Sequence, residues 1–327
     1  MIKIAFLLPE QANIATLESA RQGFLAANQY LQGHGQPPCF EVSLLGAVPQ
    51  VRLDGGRIQV RADAVLDDAA PVDIGIAPPL MGAIPDAVRG NGALVEWLRH
   101  HHGKGGEVAS LCVGAALPAA GGLLDGQRAV VHWAAQNEYA TFFPAVQWVS
   151  DRVVLAGKGV YTSGGAFSAA HLVLHLIERY ADRATAIWCA KYFQLDWSRQ
   201  SQLPFAVFTG QKTHADALVR NIQDHIEGSY AERITVEGLA DRFFLGRRTL
   251  ERRFRQATGN SVVEYLQRIR VEAAKQQLES SRKTVAEVMY EVGYSDTKAF
   301  RDVFNKYCGL SPVGYREQYS GQPAKEA

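Results

Sequence analysis

Two stretches in the C-terminal third carry side chains suited to hydrogen-bonding the edges of bases. Leu250 and Phe254 stand four residues apart, as do Phe300 and Phe304, a spacing that puts each pair on one buried stripe of a helix. The opposite faces then hold Arg248, Glu251, Arg252 and Arg255 in the first stretch and Lys298, Arg301, Asp302 and Asn305 in the second. Arg and Lys donate to guanine O6 and N7, and Asn pairs with adenine, when such a face enters a major groove. With Arg247 and Thr297 at the helix starts, the candidate DNA-contacting set is Arg247, Arg248, Glu251, Arg252, Arg255, Thr297, Lys298, Arg301 and Asn305. Arg247 and Arg253 lie nearer the flanks and are placed for phosphate. One such helix alone reads more readily as a solvated face. This pattern, however, occurs twice.

A second chemistry is available earlier in the chain. In EVASLCVGAALPAAGGLLDG a strand runs into small residues and then a helix, so Cys112 falls on a sharp turn at a strand end. There its sulfur is expected to be exposed at the carboxyl edge of a sheet, with backbone N–H groups and a helix N-terminus favouring the thiolate. The bland alternative is a small buried residue at a tight crossing. His132 and Trp133 come next, and a TSGG turn brings Ser163 and Gly164, so the candidate ligand pocket is Cys112, Val113, His132, Trp133, Ser163 and Gly164.

Metal chemistry is weakly supported. Adjacent His100, His101 and His102 cannot all face one ion from a regular element, and an exposed loop is the expectation. His171 and His175 have the spacing of a two-histidine half-site, but no third ligand is evident, so packing or pocket lining is expected. Trp133, Trp188, Tyr192 and Trp197 could cage a cation, although aromatics so placed are more often core. Cys39, Cys112, Cys189 and Cys308 are widely spaced, which indicates neither a disulfide framework nor a zinc finger. No metal and no cofactor is expected.

The elements that position the basic faces form an internal duplication. VEGLADRFFLGRRTLERRFRQATGNS superposes on VAEVMYEVGYSDTKAFRDVFNKYCGLS with one slip: Leu239 and Phe243 match Val288 and Val292, whereas Leu250, Phe254, Gly259 and Ser261 match Phe300, Phe304, Gly309 and Ser311 at a spacing one residue longer. The extra residue falls in the turn. Each copy is a helix-turn-helix, and the connector VVEYLQRIRVEAAKQQLES, apolar at Val262, Leu266, Ile269 and Ala273, could hold the two reading helices about one turn of DNA apart, roughly 34 Å. Through RTLERRFRQATG, RIRVEAAKQQL, VGYSDTKAF and GLSPVGYR, residues 221–320 resemble the AraC/XylS family of transcriptional regulators. That family usually caps the first reading helix with Ser, where this chain has Gly246; Gly caps less well by only a few tenths of a kcal/mol. Ser295 is the expected cap in the second unit.

The N-terminal part alternates strands and helices. Strands are expected at KIAFLLP, Phe40 to Leu45, Arg57 to Val60 and Val72 to Ile76, with helices at Ile14 to Leu31 and Gly92 to His102. The fold class is therefore α/β, a flavodoxin-like, mainly parallel sheet with helices on both faces, followed by an all-α domain with two helix-turn-helix units. LCVGA, LLDGQRAVVHW, FFPAVQW and TSGG resemble the class I glutamine-amidotransferase-like (PfpI-type) domain in the form fused to AraC-type reading domains. Related hydrolases place an acid beside the cysteine, where this chain has Thr16 with Glu18 half a turn away. His171 stands where regulators of this kind usually carry Asp. The resemblance thus implies a pocket that binds a small nitrogenous metabolite without turning it over.

At 327 residues, 47% apolar and 20% charged, the chain is long enough for two cored domains and has no polar low-complexity block. They are expected at 1–205 (sensor) and 221–320 (reading domain), with a linker at 206–220 and a tail at 321–327. A net charge of +1 means that affinity for DNA rests on placement rather than bulk charge. No signal peptide or membrane span is expected, since the apolar stretch Val108 to Leu124 is broken by Gly and Pro. The expected function is a cytoplasmic, sequence-specific regulator, not an enzyme. Its expected partners are double-stranded DNA, a small-molecule effector, a second copy of the chain and, as a further candidate, RNA polymerase. The rivals are a Cys-dependent hydrolase or amidase carrying a DNA-binding domain, and a cysteine-based oxidation sensor.

Overall fold

A computed structural model describes residues 1–165 and 167–320, so the expected tail, 321–327, lies outside the described residues. The strands are β1 (Ile2–Leu8), β2 (Phe40–Gly46), β3 (Gln50–Leu53), β4 (Ile58–Arg61), β5 (Ala64–Val65), β6 (Ile74–Ala77), β7 (Glu107–Ser110), β8 (Arg128–Val130), β9 (Gln147–Val149), β10 (Val154–Gly157) and β11 (Val160–Ser163). The helices of the same region are α1 (Ile14–Gly33), α2 (Ile84–Gly90), α3 (Gly92–Gly103), α4 (Ala116–Ala120), α5 (Gln136–Phe142), α6 (Ala169–Tyr180) and α7 (Arg183–Tyr192). The C-terminal region adds α8 (Ala217–Ser229), α9 (Val236–Arg242), α10 (Arg247–Thr258), α11 (Val262–Ser280), α12 (Val285–Glu291), α13 (Thr297–Cys308) and α14 (Pro312–Tyr319).

Among the described residues the main sheet has the order β10-β11-β7-β6-β1-β2-β5, parallel throughout except for β10 against β11. Strand β1 lies inside the sheet with both faces covered, which is why its run from Ile4 to Leu8, IAFLL, is continuously apolar rather than alternating. One face packs on α1, α6 and α7 through Phe6, Leu17, Phe24, Leu172 and Leu176. The other packs on α2 to α5 through Leu7, Leu94, Leu98, Leu117 and Tyr139. The strand expected at Arg57 to Val60 exists, but β4 pairs with β3 in a separate antiparallel hairpin. Strands β8 and β9 also pair apart from the main sheet.

The chain divides after Gln202 into two compact units. Residues 206–220, expected as a linker, are seated on the second unit. Lys275 donates to the Ala206 carbonyl at 2.5 Å, the Phe208 ring lies 5.3 Å from Tyr265, and Asp216 caps α8 through Val219 N–H.

In the second unit each helix-turn-helix has its own core. Leu239, Leu250 and Phe254 pack on Ile222 and Ile226 of α8, and Val288, Phe300 and Phe304 pack on Tyr315 of α14. Helix α11 serves both cores: Val262, Tyr265 and Leu266 of its first half enter the former, and Val271, Ala274 and Leu278 enter the latter. Its start is fixed by a capping box, Ser261 to Glu264 N–H and Glu264 back to Ser261 N–H; α12 starts on the same device with Thr284 and Glu287.

Candidate nucleic-acid interface and sensor site

The duplication extends to the backbone. Thr235 and Thr284 cap the first helices, Gly259 and Gly309 end the second ones in left-handed conformation, and Ser261 and Ser311 cap α11 and α14, the next helix in each copy. Leu245 N–H bonds to the Ala240 carbonyl as Tyr294 N–H bonds to that of Met289, so these turn positions correspond. The next residue of the first copy, Gly246, is already the cap of α10, whereas the second copy interposes Ser295 and caps α13 with Asp296, which accepts from Ala299 N–H at 2.6 Å. Ser295 is therefore the extra residue, which corrects its expected role as cap. A carboxylate at this end also complements the helix dipole.

Leu250, Phe254, Phe300 and Phe304 are fully buried, while Arg247, Arg248, Glu251, Arg252, Arg255, Thr297, Lys298, Arg301 and Asn305 are all exposed. Among the described residues Arg248, Arg252, Arg255, Lys298 and Arg301 make no salt bridge, so their donors face outward unspent. The flanking residues differ. Arg247 is held by Glu237 at 2.6 Å and Glu251 at 3.3 Å. Arg253, expected to be available for phosphate, forks onto Asp216 at 3.0 and 2.8 Å, and this guanidinium holds the Asp216 carboxyl below its usual range. Arg253 thereby ties α10 to the cap of α8, a positioning role.

In the first unit Cys112 occupies the expected strand-to-helix turn with a left-handed φ of 53°. The turn is tight because a Cβ at Gly114 would lie 2.4 Å from the Pro78 carbonyl oxygen, so only glycine fits. The sulfur, however, is not exposed. Cys112 is 5% accessible, and burial pushes its thiol up to about 11 against a weaker opposing backbone contact at Val113. Desolvation of the thiolate outweighs the backbone N–H groups expected to favour it. Tyr139 sits beside it and donates to the Val113 carbonyl. Thr16 is buried in the first turn of α1, and Glu18 is consumed by Arg21 and Gln22 on its own helix.

His132 caps the turn after β8, its Nδ1 accepting from Ala134 N–H at 3.1 Å, and burial lowers its pKa. Ser163 is buried and donates to the Ser110 carbonyl at 3.4 Å. Gly164 and Trp133 meet a residue for which the sequence carries no motif. Gln202, 2% accessible, accepts from Trp133 N–H at 3.2 Å and donates to the carbonyls of Val131 at 3.0 Å and Arg152 at 3.1 Å. A Cβ on Gly164 would lie 2.1 Å from its amide. Part of the expected pocket lining is thus occupied by the chain's own carboxamide, on the last residue of the first unit.

The weaker constellations separate. His100, His101 and His102 end α3 rather than forming a loop; His101 stacks on Trp97 at 4.8 Å, and His102 bonds to Gly106. The aromatic cage does not assemble: Trp188 stacks between Tyr30 and Tyr192, whereas Trp197 lies under Arg183. Among the described residues no three His, Cys, Asp or Glu side chains group to hold a metal, and no helix is long and apolar enough to cross a membrane.

A mainly parallel α/β domain followed by two outward-facing helix-turn-helix units defines the class, a DNA-binding transcriptional regulator with a separate N-terminal domain. Sequence comparison agrees. A helix-turn-helix domain family matches residues 239–318, and the DJ-1/PfpI family matches residues 42–179. The HTH-type transcriptional regulator GbdR of Pseudomonas aeruginosa is 28% identical over 324 residues, 98% of this chain and 84% of that one. CdhR of the same species is 27% identical over 222 residues, 67% and 66% of the two chains. The activator RhaS of Escherichia fergusonii is 33% identical over 104 residues, 32% and 37%. A crystal structure from Vibrio parahaemolyticus shares the fold of the first unit at a TM-score of 0.51 and 22% identity, covering 58% of this chain and 98% of its own. The chain is thus similar over nearly its whole length to an HTH-type transcriptional regulator, and it carries a DJ-1/PfpI family match ahead of a helix-turn-helix family match.

Proposed function

We propose that this chain is a cytoplasmic regulator that binds a specific operator as a homodimer and whose first unit senses a small nitrogenous metabolite. The observation that carries the reading is the pair of helices α10 and α13, each buried on one stripe and presenting unpaired Arg, Lys or Asn on the other. One chain supplies two reading helices, enough for a half-site, and two-fold pairing on a repeated site supplies the remaining specificity. Arg252 and Arg301 are the proposed base readers; Arg248, Arg255, Lys298 and Asn305 flank them, with Thr297 and the Arg247–Glu251 pair at the rim.

The DJ-1/PfpI-type unit supports sensing rather than turnover. A buried thiol with a raised pKa is a poor nucleophile. Cys112, Val113, His132 and Ser163 remain the proposed ligand surface, with Gln202 as the chain's own occupant at its Trp133–Gly164 side. An effector changes the output only by favouring one arrangement over another. Mapping the genomic DNA bound by the chain, followed by calorimetry with the metabolites of the mapped pathway, tests this reading. A reproducible operator and at least one effector are expected; uniform binding to all sequences at matched salt would overturn it.

A further inference from the structure

Residues 203–214 follow directly on Gln202 and touch both helix-turn-helix copies in turn. Leu203 and Pro204 lie 3.3 and 3.6 Å from where a Cβ on Gly309, the cap that ends α13, would stand. The Phe205 ring then meets Tyr319 of α14 edge-on at 6.4 Å. Phe208 packs against Tyr265 and lies 5.4 Å from the Arg268 guanidinium, which is itself 4.8 Å from the Tyr307 ring of α13. Further on, the segment reaches the supports of the first copy. Gln211 accepts from Asn260 at 2.5 Å and, through its carbonyl, from Gln223 of α8 at 3.2 Å, while Lys212 pairs with Asp224 and Glu227 of α8 at 2.7 and 2.6 Å.

The side chains of α11 that receive the segment form one stripe, Tyr265, Arg268, Glu272 and Lys275, at steps of three, four and three residues. Glu272 is bonded to the Phe208 backbone, and Lys275, 3% accessible, donates to the Ala206 carbonyl and to Glu272 at 2.9 Å. A buried ammonium is costly unless partnered, and here a backbone carbonyl of the segment is one of its partners. Another tie between the two copies, Arg270 on the Tyr230 and Glu232 carbonyls at 2.8 and 2.9 Å, is internal to the reading domain. The segment 203–214 instead continues into the first unit, where Gln202 is buried against Trp133, Val131 and Arg152.

We infer that residues 203–214 are a brace that sets the spacing of the two reading helices, with Arg268 and Lys275 of α11 as its positioning residues. Held on both copies, it preorganises α10 and α13 for successive groove segments, so less binding energy is spent on ordering them. The element that fixes the spacing is thus also the one whose upstream end the first unit holds. This inference rests on the reading of α10 and α13 as paired groove readers and adds what holds them in register.

Competition binding of the full chain to the mapped operator, and to duplexes with base pairs added or removed between the two groove segments, tests the brace. Each base pair turns one segment against the other by about a tenth of a helical turn. The parent chain is expected to lose about tenfold in affinity at a change of two base pairs, and Phe208→Ala and Lys275→Met to cut that loss to about threefold or less. Their salt slopes should stay at the parent's, because neither change removes a phosphate contact. Two glycines inserted after the exposed Val207 slacken the segment without altering either core, and should relax the spacing in the same way. A parent chain indifferent to spacing, or variants as strict as the parent, would overturn the brace. Methylation interference on the parent separates the two readings: two clusters with spacing equally strict in the variants remove the brace alone, whereas a single cluster removes the paired readers and the brace with them.

Discussion

Arg252 illustrates how much a helix face leaves to be decided by partners. It and Arg301 are exposed and free of salt bridges among the described residues, whereas Arg253, the next residue along from Arg252, is spent on Asp216. Arg252→Ala and Arg301→Ala should each weaken specific binding, by about 1–3 kcal/mol per lost bidentate base contact, when measured at matched salt. Arg253→Ala should instead lower thermal stability and leave the salt slope of DNA binding unchanged. Asp216 has a depressed pKa when folded, so the pair's contribution is present above the ordinary carboxylate pKa and is lost as pH falls through the folded value. Arg253→Ala should accordingly flatten the acid limb of the stability profile, and an unaltered limb would remove the pair from the account. At the cysteine turn, Cys112→Ser should leave effector-dependent transcription intact, because a buried thiol with its pKa near 11 is not poised to react. Loss of the response in a variant that still folds and binds effector would restore a chemical role for the sulfur. The sequence showed which residues lie on the outward faces, because period decides that. It could not show that Arg253 or Gln202 is engaged, because their partners lie 37 residues away and up to 71 residues away.

At the scale of elements the duplication was legible because caps and apolar pairs repeat at fixed spacing, and so was the α/β alternation. The one-residue slip was placed in the turn, but its occupant, Ser295, emerged only from the hydrogen bonds of Leu245 and Tyr294. The β3–β4 and β8–β9 pairs stayed hidden because short two-stranded ribbons have no strong periodicity. One turn stores strain. Phe244 holds φ at 54° where the second copy has Gly293 at 85°, and the Phe244 side chain is 95% accessible, so burial does not repay the left-handed conformation. Phe244→Asn should raise the stability of the reading domain by up to about 1 kcal/mol in denaturant melts, since Asn tolerates this region better. A loss of similar size would mean that the ring is packed in solution. Gln202→Ala should cost about 1–3 kcal/mol, because Trp133 N–H and the Val131 carbonyl lose a buried partner. A near-neutral effect would show that water replaces the amide readily.

For the whole molecule, composition marked a chain without polar low-complexity blocks, and the net charge of +1 gave no hint of a nucleic-acid partner. Placement of charge on α10 and α13 carries the functional reading instead. If the first unit supplies the dimer contact, light scattering on residues 1–202 should show a dimer wherever the full chain is dimeric; a monomer there would move the contact to the reading domain. The central claim is that one chain reads two successive major-groove segments through α10 and α13. Methylation interference at guanine N7 on the mapped operator tests it most directly. Each chain should give two interference clusters about one helical turn apart, with Arg252→Ala relieving interference in one cluster and Arg301→Ala in the other. A single cluster per chain, or two variants that weaken both clusters alike, would contradict the account.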